Sequence, residues 1–323
     1  MARRRVEALI ALLLVGGVVA AVVIAVLVVR DQPAPPVAAP PPTTQRAEPE
    51  VAKDRRLPGA LVVKIDNVSA ARPHTGIGGA NAIVVEPVEG GLTRLLAVYW
   101  GKRPSVVGPV RSARETDIEL LAQLKRPVLA YSGTASRLRP LLRRADLVLA
   151  SPELGTPGFF RSGSRRSPHN LYVRPNQLPK TKPVASPLRF GAAPAGGKVT
   201  RSHRVSYPAA RFDFTWSKTA GRWLVSMNGS RMTSTERGGL SAGTVVVQRV
   251  KIVRGQNITD AAGSVSPVAR TVGKGKAVVL RNGKSYQATW SRPSADRPTS
   301  YTTASGKPLP LDRGTVWVLL VPR

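Results

Sequence analysis

The stretch Ala82-Ile83-Val84-Val85-Glu86-Pro87-Val88-Glu89-Gly90-Gly91-Leu92-Thr93-Arg94-Leu95-Leu96-Ala97-Val98-Tyr99-Trp100 decides the fold class. Ile83 to Val88 and Leu95 to Trp100 have the β-branched and aromatic content of strands, with a turn between them. Leu61 to Ile65 reads the same way. Helical spacing then takes over, because Ile118, Leu121, Ala122 and Leu124 recur at helical intervals. Ser112-Ala113-Arg114-Glu115 fits a capping box, with Ser112 as N-cap and Glu115 reaching back. A short strand over Val128 to Tyr131 follows, so this part reads as mixed α/β.

Between Arg174 and Arg201 prolines and glycines return without apolar periodicity, which marks a connection. Beyond it Phe212 to Trp216, Trp223 to Met227, Val245 to Val253, Ala277 to Leu280, Tyr286 to Trp290 and Val316 to Val321 read as strands. Asn282-Gly283 is the dipeptide of a tight hairpin. The expected class is α+β: a mixed α/β domain over 58–190 followed by a mostly β domain over 191–323.

Upstream, Ala8–Val29 carries no charge and is long enough to cross about 30 Å of hydrocarbon. Val28, Val29 and Arg30 follow the apolar run where a cleaved signal would carry a small-residue site, so it reads as an uncleaved anchor. Arg3, Arg4 and Arg5 make 1–7 a cytoplasmic tail and put the rest of the chain outside the membrane. Residues 30–57 form a linker whose seven prolines between Asp31 and Leu57 favour a semi-rigid extended spacer. No cysteine is present, which excludes disulfides, thiolate nucleophiles and a lipid-bearing thiol. The formal charge of +31 favours anionic partners. Export argues against nucleic acid as the natural one.

Familiar catalytic signatures are missing. There is no H-E-x-x-H, no G-x-S-x-G and no serine followed three residues later by lysine. Gly76-Ile77-Gly78-Gly79-Ala80-Asn81 lacks the last glycine of a dinucleotide fingerprint, and Gly283-Lys284-Ser285 lacks the upstream glycine of a phosphate loop. No cofactor or metal is implied.

Instead, polar residues recur inside apolar contexts: Ile65-Asp66-Asn67, Ala71-Arg72-Pro73, the Glu86–Arg94 stretch, Gly108-Pro109-Val110-Arg111-Ser112-Ala113-Arg114 and Ser167-Pro168-His169-Asn170. In this order, and with Val245–Gln248, Thr271-Val272-Gly273, Thr289–Arg292 and Thr315–Val318 behind them, they resemble the YerB-like family of bacterial lipoproteins, a family of unknown function. The resemblance covers nearly all of residues 58 to 323. It implies an extracytoplasmic location and an α+β fold rather than a reaction. Two departures stand out: an apolar helix replaces the lipidated cysteine, and Asn81 occupies a position expected to be acidic.

The candidate ligand-binding set is Asp66, Arg72, Glu89, Arg94, Arg111, Ser112, Arg114, His169 and Asn170. Arg111 and Arg114 flank a helix start whose dipole disfavours cations, so a negative group is expected beside them. It is either a bound anion or Glu86 or Glu89 from within the chain. His169 lies beside a turn rich in Arg, Ser and Gly and is a candidate acid, base or donor, or else part of a loop lock. His74 and His203 have no constellation around them. Two functions fit: a binding or assembly module for an anionic cell-envelope polymer or for envelope-assembly proteins, or a hydrolase or transferase acting on such a polymer, for which Asp66, Glu86 and Glu89 offer carboxylates.

Overall fold

A computed structural model describes residues 56–259, 263 and 265–323. The expected anchor 8–29 and all but the last two residues of the expected linker lie outside the described residues. Among the described residues no helix is long and apolar enough to cross a membrane. Arg56–Leu57, at the end of the expected linker, pair antiparallel with Val184–Ala185.

The strands named here are β1 Leu61–Asp66, β2 Ala82–Pro87, β3 Thr93–Tyr99, β4 Val128–Ala130, β5 Val148–Ala150, β6 Phe159–Arg161 and β7 Leu171–Val173. They continue with β8 Ser202–Tyr207, β9 Ala210–Ser217, β10 Arg222–Met227, β11 Thr244–Thr259 and β12 Val265–Arg270. The last four are β13 Gly273–Arg281, β14 Lys284–Arg292, β15 Ser300–Thr303 and β16 Val316–Pro322. Among the described residues the α-helices are α1, Glu115–Ala122, and α2, Arg139–Arg144.

One large sheet organises the molecule, with central order β14-β13-β11-β16-β2-β3-β1-β4-β5. Strand β16 lies parallel to β11 on one side and parallel to β2 on the other, so strands from both halves of the chain share one ladder. Asn282 and Gly283, both at positive φ, form the two-residue turn between β13 and β14, as the dipeptide predicts.

The fold as a whole is mostly β, and over 58–190 short strands alternate with α1, α2 and short 3-10 turns, so that half is mixed as expected. Helical spacing correctly locates α1, but the helix is short. Lys125 and Arg126 adopt positive φ directly after it and Pro127 follows, so the helical path cannot continue.

Alternation along the strands builds two cores. Leu61, Val63, Ile65, Ile83, Val85, Leu95 and Ala97 face the smaller sheet of β8, β9 and β10, whose Phe212 and Phe214 rings lie 6.3 and 6.0 Å from the Trp317 ring. The opposite face presents Ala60, Val62, Val84, Leu96, Val98 and Leu320 to Leu120 and Leu121 of α1 and Leu142 of α2. Along that face the ladder reads in rows: Val62, Val98 and Ala82; then Lys64, Leu96 and Val84; then Asp66, Arg94 and Glu86. The rows change from apolar to ionic toward one end of the strands.

Because β16 joins both halves, Leu319→Ala on its fully buried face is expected to cost about 2–5 kcal/mol. Denaturant unfolding followed by far-UV circular dichroism and tryptophan fluorescence should still give one coincident transition, shifted to lower denaturant.

Candidate functional site

The ionic row is covered by two pieces of chain. The segment from Gly108 to Ala113 continues the sheet beside the end of β1, where Asp66 N–H donates to Pro109 O at 2.9 Å and Arg111 N–H to Lys64 O at 2.9 Å. Its far side is held by Ser132 N–H to Arg111 O at 3.0 Å and Ala113 N–H to Gly133 O at 3.1 Å. The chain then turns into α1, whose first turn sits over Lys64 and Glu86.

Three linked ion clusters result. Innermost, the fully buried Lys64 ammonium donates to Glu86 and, at 2.6 Å, to Asp117 Oδ1. Asp117 Oδ2 accepts the Arg114 backbone N–H at 2.7 Å, so this carboxylate also caps α1. Burial, reinforced by Asp117, pushes the Glu86 carboxyl up to about 7 despite Lys64. In the middle, Arg114 grips Glu89, with Nε 2.7 Å from Oε1 and Nη2 2.8 Å from Oε2, and the Ser266 hydroxyl of β12 donates to the same carboxylate. Burial alone would raise Glu89; the Arg114 hydrogen bonds and charge, with Ser266, outweigh it and hold the carboxyl below its usual range.

The outer cluster centres on Asp66, also fully buried. Arg94 Nη1 lies 3.2 Å from Oδ1, Arg111 Nε 3.3 Å from Oδ2, and His169 Nδ1 2.7 Å from Oδ2. Burial works to raise this carboxyl too, but Arg94, His169 and Arg111 together lower it. Arg94 Nε is buried without a hydrogen bond. Arg111 and His169 side chains keep 28% and 25% of their exposure, which makes them the rim of the cluster. Lys64, Arg94, Arg111 and Arg114 thus face Asp66, Glu86, Glu89 and Asp117 in equal number. The distribution is uneven: two carboxylates share one lysine inside, whereas two arginines share one aspartate at the rim.

Asp66, Glu89, Arg94, Arg111, Arg114 and His169 therefore come together as a linked group. Ser112 does not cap the helix. Residues 110 to 113 stay extended to hydrogen-bond with Lys64 and Gly133, so Arg114 becomes the N-cap residue and Asp117, not Glu115, reaches back. The negative groups expected beside Arg111 and Arg114 are the protein's own Asp66 and Glu89. Asn170 is turned away: Arg161 donates to its Oδ1 at 2.7 Å and its amide donates to Ser162 O at 3.2 Å, locking the β6–β7 hairpin. Arg72 belongs to the loop after β1, its Nε 3.4 Å from Val68 O.

Lys64, Asp117, Ser266 and His74 were absent from the expected set. A lysine and an aspartate inside Leu-Val-Val-Lys-Ile-Asp were the available signal, since charges in a buried strand require partners. His74, read from sequence as isolated, is fully buried and donates from Nε2 to Asp66 O at 2.8 Å, with burial pushing it down to about 4 so that it is neutral. Asn81 Oδ1 accepts the Trp100 N–H at 2.7 Å, so an uncharged amide does the acceptor's work where an acid was expected. Among the described residues no group of three or more His, Asp or Glu is placed to hold a metal ion.

A mostly β protein whose two sequence halves build one sheet around a buried ion network defines the class. The chain belongs to the family described as "Protein of unknown function (DUF3048)", its N-terminal domain matching residues 43–186 and its C-terminal domain residues 203–318. It is similar to the protein named "Putative lipoprotein YerB" of Bacillus subtilis (strain 168), 26% identical over 281 residues that make up 83% of this chain and 82% of the relative. The crystal structure of YerB from Bacillus subtilis has a TM-score of 0.70 at 21% identity, covering 83% of this chain and 92% of that one, and so shares the fold.

Two stability measurements separate the parts of the network. Arg114→Ala strands the buried Glu89 carboxylate and is expected to cost about 3–5 kcal/mol, whereas Arg111→Ala leaves Asp66 with Arg94 and His169 and should cost about 1 kcal/mol or less in chemical denaturation. For Glu86, the folded state retains a proton between its ordinary value of 4.5 and about 7 that the unfolded chain has released. Its contribution to stability therefore falls as pH rises through that window. Glu86→Gln should flatten the stability profile between pH 4.5 and 7 and leave the acid limb, set by the lowered Asp66 and Glu89, in place.

Proposed function

We propose that this protein is a membrane-anchored extracytoplasmic binding or assembly module that recognises an anionic group of a cell-envelope polymer at the rim formed by Arg111 and His169. The observation that carries the reading is the surplus of hydrogen-bond donors around Asp66. Arg94 and Arg111 share that single carboxylate with His169, and two of the three remain partly exposed. A phosphate or carboxylate arriving there meets guanidinium donors already oriented by a buried anion, which lowers the ordering cost of binding. The surrounding charge, +31 for the chain, draws polyanions toward it.

The location rests on the apolar run Ala8–Val29 with its Arg3, Arg4 and Arg5 flank, and on the name of its relative, "Putative lipoprotein YerB". With no cysteine available to carry a lipid, the apolar run itself is the proposed anchor. The Asp66–His169 pair at 2.7 Å supports a second reading as a hydrolase or transferase, because the carboxylate orients the imidazole as it would a general base.

The test measures binding of the full chain, reconstituted in nanodiscs, to polyglycerol phosphate and to a carboxylated polysaccharide at low and physiological salt. Arg111→Ala and His169→Gln should each weaken binding about tenfold with the thermal midpoint little changed, and affinity should fall with salt. Binding indifferent to both substitutions sinks the site. Polymer cleavage that disappears in His169→Gln would establish the enzyme reading instead.

A further inference from the structure

The face of the large sheet that ends in the ionic row begins in a cavity of about 590 Å³. Its floor is Val84, Val98 and Val318, and one wall is Leu121 of α1 with Leu124 in the turn that follows it. These groups are aliphatic, and the strand residues among them come from both halves of the chain. The size falls within the range of small-molecule sites, about 300–1,000 Å³, and well above that of packing voids.

Gln248 of β11 lines this cavity and is 3% exposed. The Tyr301 hydroxyl donates to its Oε1 at 3.1 Å, which leaves the carboxamide Nε2 without a hydrogen-bond partner among the described residues. That amide N–H opens onto the cavity, where an occupant can offer it an acceptor in place of water. The exposed edge of the lining carries Arg189 beside Phe190, itself 38% exposed, a cation next to an apolar ring. Aliphatic walls, one oriented donor and a cation at the edge define an occupant with a long aliphatic body and an oxygen-bearing, anionic end.

We propose that this cavity binds a single acyl chain, as a fatty acid or as part of a phospholipid, with Gln248 donating to the carboxyl or ester oxygen and Arg189 facing the head-group charge. The site is separate from the Asp66 cluster. Its floor lies in the apolar rows of β2, β3 and β16, and Lys64, Glu86 and Asp117 stand between it and the rim arginines.

Trp100 also lines the cavity and supplies the reporter. In the full chain, held in nanodiscs, 9,10-dibromostearate should quench tryptophan fluorescence saturably, and Trp100→Phe should remove most of that response. Val318→Phe, which fills the cavity from its floor, should weaken the effect at least tenfold. Leu121→Phe does the same from the wall if the first variant fails to fold. Gln248→Leu should weaken dibromostearate about fivefold, the worth of one hydrogen bond, while leaving a dibrominated alkane of equal length unchanged. Saturable quenching by brominated phospholipid in the nanodisc, with no response to added dibromostearate, would support the site and assign its ligand to the bilayer. Quenching that does not saturate, or that persists in both filled variants, overturns the proposal. Equal quenching by acid and alkane in both wild type and Gln248→Leu overturns the recognition of oxygen.

Discussion

The ammonium of Lys64, fully buried and shared between Glu86 and Asp117, is the constraint on which the rest of the site depends. It fastens the first turn of α1 to the sheet through a contact that few alternative packings can reproduce. Once Asp117 is held there, its second oxygen caps the helix through Arg114, and the Arg114 side chain is delivered to Glu89. The other end of the same helix and the turn after it supply Leu121 and Leu124 to the aliphatic cavity. One buried charge thus sets the position of both a polar cluster and an apolar chamber.

Such a network is a poor source of net stability, because removing the ions from water offsets most of their attraction. Its value is geometric. A row of charges at one end of a hydrophobic ladder admits one register, since a slip by a residue would turn Lys64 and Glu86 into the aromatic core beneath the sheet. Further out the constraint relaxes: Arg111 and His169 touch the same carboxylate yet keep solvent contact, so the network grades from scaffold to surface within a few side chains.

Much of the strand pattern was legible in the residues. Alternation and β-branching located the long strands, Asn282-Gly283 its hairpin, and the spacing from Ile118 to Leu124 the helix. The spacing from Ser112 to Glu115 predicts a capping box, but the box forms later in the chain, between Arg114 and Asp117. The choice between the two positions is made by tertiary hydrogen bonds from Arg111 and Ala113 to Lys64 and Gly133, which no local pattern encodes. The convergence of Asp66, Glu89, Arg94, Arg111, Arg114 and His169 followed from the ordered motifs, whereas Lys64 escaped notice as one charge within an apolar run. Asn170 shared a motif with His169 but faces the other way, since neighbouring residues in a hairpin point to opposite sides. The cavity had no sequence signal, as its walls are drawn from segments more than two hundred residues apart.

The parallel seat of β16 between β2 and β11 has a consequence for how the chain is made. Synthesis proceeds in order, and the strand that fills this slot comes after every other strand described. Until it emerges, the edges of β2 and β11 stand open with aliphatic faces on both sides, the condition under which chains pair with one another. Its partners lie far away in sequence, so their closure carries the kinetic burden of high contact order. A nascent chain of this kind has reason to depend on chaperoning until its last strand is in place.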